Sequence, residues 1–131
     1  MEILRLYINL TEINEVVSDS RTAKMLLFNG TCKSDIFNGT ILNGGVDTQI
    51  IEADGTGTLS ARYIVEGHDC KGNACRLFIE NNAKIGTEDA STHPMIITDS
   101  QELKWLENAN LVGHIVHEDG QLMIVIEKIE N

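Results

Sequence analysis

An acid, an amide and a guanidinium lie on two neighbouring strand-like segments, and these side chains are the best suited in the chain to hold or transform a small molecule. Asp47 and Gln49 precede the turn signal Asp54-Gly55, and Arg62 follows it. A two-residue Asp-Gly turn would set Asp47 opposite Arg62, with Gln49 on the same face of a hairpin. On that face the carboxylate could accept a proton, and the guanidinium could bind a carboxylate or enolate oxygen.

The same register gives this hairpin a second, largely apolar face, with the pairs Ile50–Leu59, Thr48–Ala61 and Val46–Tyr63. The sequence leaves open which face points inward. If the apolar face lines the core, the Asp47–Arg62 pair is solvated and worth about 0.2–1 kcal/mol. If the polar face lines the interior of a barrel, it forms a binding pocket, and the apolar face then needs a helix or a partner subunit to cover it.

The elements that must position these side chains are mostly strands. Glycines recur at short intervals between segments rich in β-branched and apolar residues, which predicts strands near residues 3–10, 23–32, 35–42, 46–53, 58–66, 74–81, 111–118 and 121–129. Asp99 stands three residues before Glu102 and ahead of two leucines, which predicts a short helix near residues 100–107.

Closure of an antiparallel sheet removes its exposed edges, so eight short strands favour a closed fold. We predict one all-β domain over residues 1–131, an antiparallel, eight-stranded up-and-down β-barrel with that single helix. A two-sheet sandwich is the alternative.

Charge and hydropathy exclude two classes of partner. The chain has ten Lys and Arg against twenty Asp and Glu, a formal net charge of -10, and its cations form no run. Such a protein repels phosphate backbones and anionic membranes, so we expect no nucleic acid partner. The apolar stretches are far shorter than the ~20 residues of a spanning helix, and the N-terminus shows no signal-peptide pattern. We therefore expect no membrane partner and a cytoplasmic protein with reduced cysteines.

Cysteine and histidine side chains offer weaker possibilities for chemistry. His68, Cys70 and Cys75 could offer zinc an imidazole and two thiolates, but the paired spacing and a fourth ligand are missing, so we predict no metal site. His114 and His117 are three residues apart on a predicted strand, which sends them to opposite faces. No dinucleotide or phosphate-binding motif is present, so we expect no cofactor.

His93 and Trp105 complete the candidate ligand-binding residues. His93 precedes the single proline in a loop, and loops at a barrel mouth commonly carry functional side chains. Trp105 lies on the predicted helix beside leucines. It either packs against the barrel end or offers a ligand a stacking surface.

Three motifs give the chain a family resemblance. The run Gly44-Gly45-Val46-Asp47-Thr48-Gln49, the turn Asp54-Gly55 and the strand Ala61-Arg62-Tyr63 resemble the family called domain of unknown function 3237, or uncharacterised protein family 0311. Further along, His93-Pro94 and Trp105-Leu106 fall where that family tends to have a proline-containing approach and a Trp-Leu pair. The resemblance implies a small bacterial β-barrel in which Asp47, Gln49, Arg62 and Tyr63 act together.

The chain departs from that family beyond its proline. It has Met95-Ile96-Ile97-Thr98 where family members usually carry an aromatic and basic stretch. We therefore assign to these four residues no function that the family's stretch performs.

From these observations we predict a barrel that binds a small anionic or carbonyl-bearing metabolite through Asp47, Gln49 and Arg62. Two alternatives stay open. The same pocket could serve a cofactor-free isomerase, lyase or hydrolase, with Asp47 or a histidine as general acid or base and Arg62 stabilising an oxyanion. Otherwise the chain is a structural or interaction protein without a ligand, and a homo-oligomer is compatible with each of these functions.

Overall fold

The protein is described by a computed structural model that covers residues 1–88 and 91–130. Nine strands and one short helix account for its regular structure: β1 (Glu2–Val17), β2 (Arg21–Lys33), β3 (Phe37–Ile41), β4 (Gly45–Glu52), β5 (Gly57–Asp69), β6 (Ala74–Ile85), β7 (Met95–Thr98), a 3₁₀ helix (Lys104–Glu107), β8 (Leu111–Glu118) and β9 (Gln121–Lys128). All eight predicted strands are present, and β7 is an additional one.

All of the strand pairs are antiparallel, and they form a single sheet in the order β7-β6-β5-β3-β2-β1-β9-β8. β4 also pairs with both β2 and β5, so that β3 and β4 together fill one position between those two long strands. Nine strands therefore occupy eight places around the sheet.

The two ends of this sheet meet at Thr92, just before β7. Its amide donates to the Gly113 carbonyl on β8 at 2.8 Å, and the Gly113 amide donates back at 2.9 Å. The next amide, that of His93, donates to the Asn82 carbonyl on β6 at 3.2 Å. Because these hydrogen bonds join β6 to β8 through one segment, the sheet curls into a barrel, and the all-β barrel prediction is confirmed.

One half of the barrel is filled by apolar side chains. Alternate residues of β1, β5, β6 and β9 point inward, as the two-residue period of a strand requires. Among the fully buried ones are Leu4, Leu6, Val65, Leu77, Ile79 and Ile126. Each such side chain contributes roughly 1.5–3 kcal/mol by leaving water.

Leu103 and Leu106 join this core from the segment around the 3₁₀ helix. The predicted helix near residues 100–107 is thus shorter than expected, and the prediction of Asp99 as its N-cap is wrong. The Asp99 carboxylate instead accepts the Arg76 amide at 2.8 Å, tying this segment to β6. The Ser100 hydroxyl accepts the Leu103 amide at 3.1 Å and opens the turn in its place. Within residues 1–88 and 91–130, no helix is long and apolar enough to cross a membrane.

Candidate functional site

The turn that follows Asp47 decides which side chains share a face. The structure has a three-residue loop, Ala53-Asp54-Gly55, rather than a two-residue turn: the Glu52 amide donates to the Thr56 carbonyl at 2.7 Å, and the Gly55 amide donates to the Glu52 carbonyl at 3.0 Å. Gly55 adopts a φ of 88°, which a side chain would resist. The Asp54 carboxylate accepts the Thr56 amide at 3.0 Å and its hydroxyl at 2.6 Å. A turn followed by a left-handed glycine is the usual form of a three-residue hairpin loop.

The extra loop residue shifts the pairing by one, so the predicted register is wrong. Asp47 lies opposite Ala61 and Gln49 opposite Leu59, whereas Arg62 lies opposite Val46. Because successive residues of a strand point to opposite faces, a shift of one separates Asp47 from Arg62.

Asp47 and Gln49 point into the half of the barrel that the core leaves open. There they line a cavity of about 260 Å³ together with Ile8, Leu10, Leu26, Phe28, Leu59, Ala61, Asn81, Thr92, Ile115, His117, Leu122 and Ile124. Most of these side chains are apolar, with a few polar groups among them. A mostly apolar cavity with a few polar groups is the usual composition of a small-molecule site.

Asp47 is the electrostatically unusual residue of this cavity. Its Oδ2 accepts a hydrogen bond from Gln49 Nε2 at 2.9 Å. Its Oδ1 is buried and, among the described residues, has no hydrogen-bond partner. Burial raises the pKa of the Asp47 carboxyl above its ordinary value of 3.8, and the Gln49 hydrogen bond offsets part of that rise. Asp47 Oδ1 is therefore a buried hydrogen-bond acceptor to which no described group donates.

Asn81 and Thr92 supply further polar atoms, and sequence reasoning missed both. Thr92 Oγ1 lies 3.5 Å from Asn81 Oδ1, and Asn81 Nδ2 lies 3.4 Å from the Tyr63 hydroxyl. Every second side chain of β6 points inward, and Asn81 follows Leu77 and Ile79 in that pattern, so the pattern could have identified it. Thr92 has no such signal, because its position follows from closure of the barrel.

Tyr63 lies in the core next to the cavity and is not among the residues that line it. It packs edge-to-face on the cavity residue Phe28, with ring centroids 5.3 Å apart. Burial raises the pKa of its phenol far above the ordinary value of 10.0. The tyrosine therefore stays a neutral phenol at any physiological pH.

Arg62 and His93 come together elsewhere, at a depression on the outer face of β5 and β6 that Lys84 also lines. The Arg62 Nε atom donates to Glu80 Oε2 at 2.9 Å. This Arg62–Glu80 ion pair is open to solvent, because 61% of the Arg62 side chain is exposed. Arg62 is thus separated from Asp47 by the thickness of the sheet.

Trp105 lies outside the barrel on the 3₁₀ helix. Lys128 Nζ sits over its ring, 5.4 Å from the centroid, and 39% of the side chain is exposed. Its neighbours Leu103 and Leu106 are the buried residues of this segment. Of the six sequence-predicted ligand-binding residues, the structure therefore brings only Asp47 and Gln49 to the cavity.

His117 on β8 also lines the cavity. His114 is exposed, and its Nε2 lies 4.0 Å from a Glu127 carboxylate oxygen. β8 pairs with β9 without a bulge, so the two histidines point to opposite faces, as their spacing predicted.

Replacing Asp47 by Asn is expected to stabilise the protein by about 1 kcal/mol near pH 7, because an amide avoids burying an unpaired charge. Because the pKa of Asp47 is raised in the folded state, the folded protein still holds the Asp47 proton at pH values between 3.8 and the folded pKa. The unfolded protein has already lost that proton there. Stability therefore falls as the pH rises through that window and stays lower above it. Urea unfolding near pH 7 and near pH 3 measures this difference.

The gain should largely disappear near pH 3, where both folded and unfolded states carry a protonated Asp47. Asp35→Asn, at an exposed position between β2 and β3, is the matched control and should change little at either pH. A gain of equal size at both pH values would contradict the assignment of the effect to ionisation.

The fold and this cavity define a small antiparallel β-barrel, filled in one half and holding a mostly apolar cavity with a few polar groups in the other. The chain belongs to the family described as "Protein of unknown function (DUF3237)", whose model matches residues 3–91. The family resemblance of the sequence is thereby confirmed.

A UPF0311 protein of Clostridium acetobutylicum is 39% identical over 56 residues, which are 43% of this chain and 33% of that protein. The match thus spans about a third of that relative's length. The structure of a protein of unknown function from the same species is also similar, with a TM-score of 0.83 and 25% identity over 99% of this chain and 98% of that chain. An enzyme from Penicillium herquei has the same fold, with a TM-score of 0.74 and 17% identity over 97% of this chain and 92% of that chain.

Proposed function

We propose that this protein binds a compact, predominantly apolar small molecule in the barrel cavity, and that a hydroxyl or amine of this molecule donates a hydrogen bond to Asp47. The observation that carries the proposal is the buried Oδ1 of Asp47, which has no partner within the described part of the chain. A buried acceptor left unsatisfied costs about 1–3 kcal/mol. A ligand that donates to it recovers that cost on binding, which supports a role in recognition rather than in stability.

The charge of the lining disfavours an anionic ligand. Neither lysine nor arginine is among the described residues that line the cavity, and Asp47 is its only acid. An anion would meet a carboxylate without a resident cation to offset it. Of the anionic and carbonyl-bearing ligands expected from the sequence, the carbonyl-bearing one fits better, because the Gln49 amide and the His117 imidazole can donate to a carbonyl oxygen.

The size of the cavity restricts the ligand further. A volume of about 260 Å³ is just below the usual range of ligand pockets, which span roughly 300–1,000 Å³. The apolar walls provided by Ile8, Leu26, Phe28 and Leu122 suit a single ring or a short branched chain. We therefore favour a molecule of one ring that carries a hydroxyl or amine donor, with or without a carbonyl group.

Three para-substituted toluenes test this proposal by calorimetry or ligand-observed NMR: 4-methylphenol and 1,4-dimethylbenzene, which have nearly the same shape, and the somewhat larger anion 4-methylbenzoate. The phenol should bind most tightly, because it alone brings a neutral donor to Asp47. Asp47→Leu should weaken phenol binding by about tenfold, the equivalent of one good hydrogen bond to a charged group, and should leave the hydrocarbon unaffected.

Asp35→Leu, which changes an exposed acid in the same way, serves as the control and should bind all three probes like the parent. Equal binding of the three probes, or a phenol affinity unchanged by Asp47→Leu, would refute the proposed recognition. No binding by any probe would favour the alternative of a structural or interaction protein.

A second candidate function is cofactor-free proton transfer in the same cavity. It is favoured by the raised pKa of Asp47, because a carboxyl group in an apolar site becomes a better base at neutral pH. His117, which lines the same cavity, could return a proton to the substrate. The fold of the Penicillium herquei enzyme, shared at 17% identity, is consistent with this alternative.

Exchange of the α-protons of cyclohexanone in heavy water, followed by NMR, separates the two functions. Catalysis predicts exchange faster than in buffer, and loss of that acceleration in Asp47→Asn. Binding alone predicts the buffer rate in both proteins.

A further inference from the structure

Large apolar side chains at the mouth of the cavity are exposed although they lie on the inner face of the sheet. Leu10 and Ile115 both line the cavity, yet 44% of the first side chain and 47% of the second are exposed. Inward side chains of a small barrel normally fill its interior and are covered there. The apolar lining of the cavity therefore continues outward, past the space that the barrel encloses.

Ile13 extends this apolar lining beyond the cavity. It lies opposite Leu26 on β2, and Leu26 lies opposite Asp47 on β4. Directly opposed residues of antiparallel strands point to the same face, so Ile13 shares the face of these two cavity residues. It is not itself among the residues that line the cavity, and its side chain is 55% exposed.

An irregularity in β1 between Leu10 and Glu12 places Leu10 and Ile13 on the same face. Residues three positions apart in a regular strand point to opposite faces. Here Leu10 lies opposite Phe28, whereas Glu12 lies opposite the neighbouring residue of β2, so β1 has one residue more than its partner. Such an extra residue is a β-bulge, which re-aims the side chains that follow it and is common beside functional sites.

We propose that the ligand of this cavity is amphipathic, with a ring-sized head that donates to Asp47 and a short apolar chain that leaves the cavity and covers Leu10 and Ile13. The inference rests on the proposed function, because the head occupies the cavity. A volume of about 260 Å³ accommodates little more than that head. The chain displaces water from apolar side chains, which is favourable in proportion to the area covered.

Continuity with the cavity is what identifies a ligand chain as the occupant of this surface. Leu10 belongs both to the cavity lining and to the exposed surface, so a group that leaves the cavity beside Leu10 meets Ile13 next. The apolar side chains thus form one uninterrupted path from Asp47 to the outside.

A charged pair limits the length of this path. The next inward residues of the two strands are Glu15 and Lys24, which lie opposite each other, and Lys24 Nζ is 3.9 Å from a Glu15 carboxylate oxygen. An apolar chain laid over this pair would remove water from both charges, which is unfavourable. The surface therefore suits a chain of a few carbon atoms.

A series of phenols tests the inference by calorimetry with the full chain: 4-methylphenol, 4-ethylphenol, 4-propylphenol and 4-butylphenol. The first represents the head alone. Each further methylene that covers the apolar surface should strengthen binding by about two- to fourfold. Affinities that do not rise along the series would overturn the inference.

Two threonine variants locate the chain. Ile13→Thr removes apolar surface but keeps a β-branched residue, and should reduce the advantage of 4-butylphenol over 4-methylphenol by about threefold. Val16→Thr is the matched control: Val16 is 70% exposed and lies on the opposite face of the same strand, so the series should bind as to the parent. An undiminished advantage in Ile13→Thr, or equal effects of the two variants, would overturn the inference.

Asp47→Leu separates this inference from the proposed function. It should weaken every phenol by the same factor of about ten and leave the gain with chain length intact, because only the head contacts Asp47. A gain that depends on Ile13 but affinities that Asp47→Leu does not change would refute the recognition by Asp47 and support the path of the chain. The reverse result would support the recognition and overturn the path, and no binding by any phenol would overturn both.

Discussion

Replacing Gly67 by Ala should lower the free energy of unfolding by about 3 kcal/mol or more and the melting temperature by about 10 °C or more. Gly67 on β5 opposes Gly39 on β3, where the two backbones approach unusually closely. A Cβ atom at Gly67 would overlap the Asn38 carbonyl oxygen and lie 2.5 Å from the Gly39 Cα. Backbone atoms cannot move aside as a flexible side chain can, so the strands themselves would have to separate.

Thermal and urea unfolding followed by circular dichroism would measure this loss. Thr40→Ala, at an exposed position of the same strand pair, is the control and should stay within about 1 kcal/mol of the parent. A Gly67→Ala protein as stable as the control would show that the close approach of β3 and β5 is not required.

Replacing Phe37 by Ala should cost about 3–5 kcal/mol, because it leaves a large void in the filled half of the barrel. Phe37 begins β3 and has no exposed surface. It belongs to the same core as Leu103 and Leu106, the two leucines from the segment around the 3₁₀ helix. Its loss should therefore loosen that segment as well as the strand, which amide hydrogen exchange at Leu103 and Leu106 would detect.

Phe78→Ala provides the matched control, since Phe78 is an only partly buried phenylalanine of β6. It should cost less than half as much as Phe37→Ala. Equal costs at the two positions would mean that the apolar half of the barrel contributes less to stability than its burial indicates.

Most strands could be predicted because their signals are local. Glycine-bounded segments of β-branched residues found eight of the nine strands. The ninth, Met95–Thr98, was missed because four residues are too few to show a period. The far half of β1 was missed for another reason: Glu12, Asn14 and Glu15 give it the composition of a loop, although it pairs with β2 up to Val17.

The candidate site was only partly predictable. The sequence pointed to Asp47 and Gln49, and the cavity contains both. The sequence prediction grouped these two residues with Arg62 because it assumed a two-residue turn. The structure has a three-residue loop instead, which is formed with the Asp54 carboxylate as an acceptor and Gly55 in the left-handed conformation. Asn81 and His117 come from distant strands, and no spacing within the sequence relates them to Asp47.

The sequence by itself determined the fold class, the family and the pair of polar residues on β4. These follow from short-range patterns, since alternation, turn residues and family motifs are properties of neighbouring positions. Only the tertiary structure decided which side chains of β4 and β5 share the inward face, because a single extra loop residue sets Asp47 opposite Ala61 instead of Arg62. It alone also decided that Asp47 Oδ1 is buried with no partner among the described residues, since the cavity is lined by seven strands that meet only when Thr92 and Gly113 close the barrel.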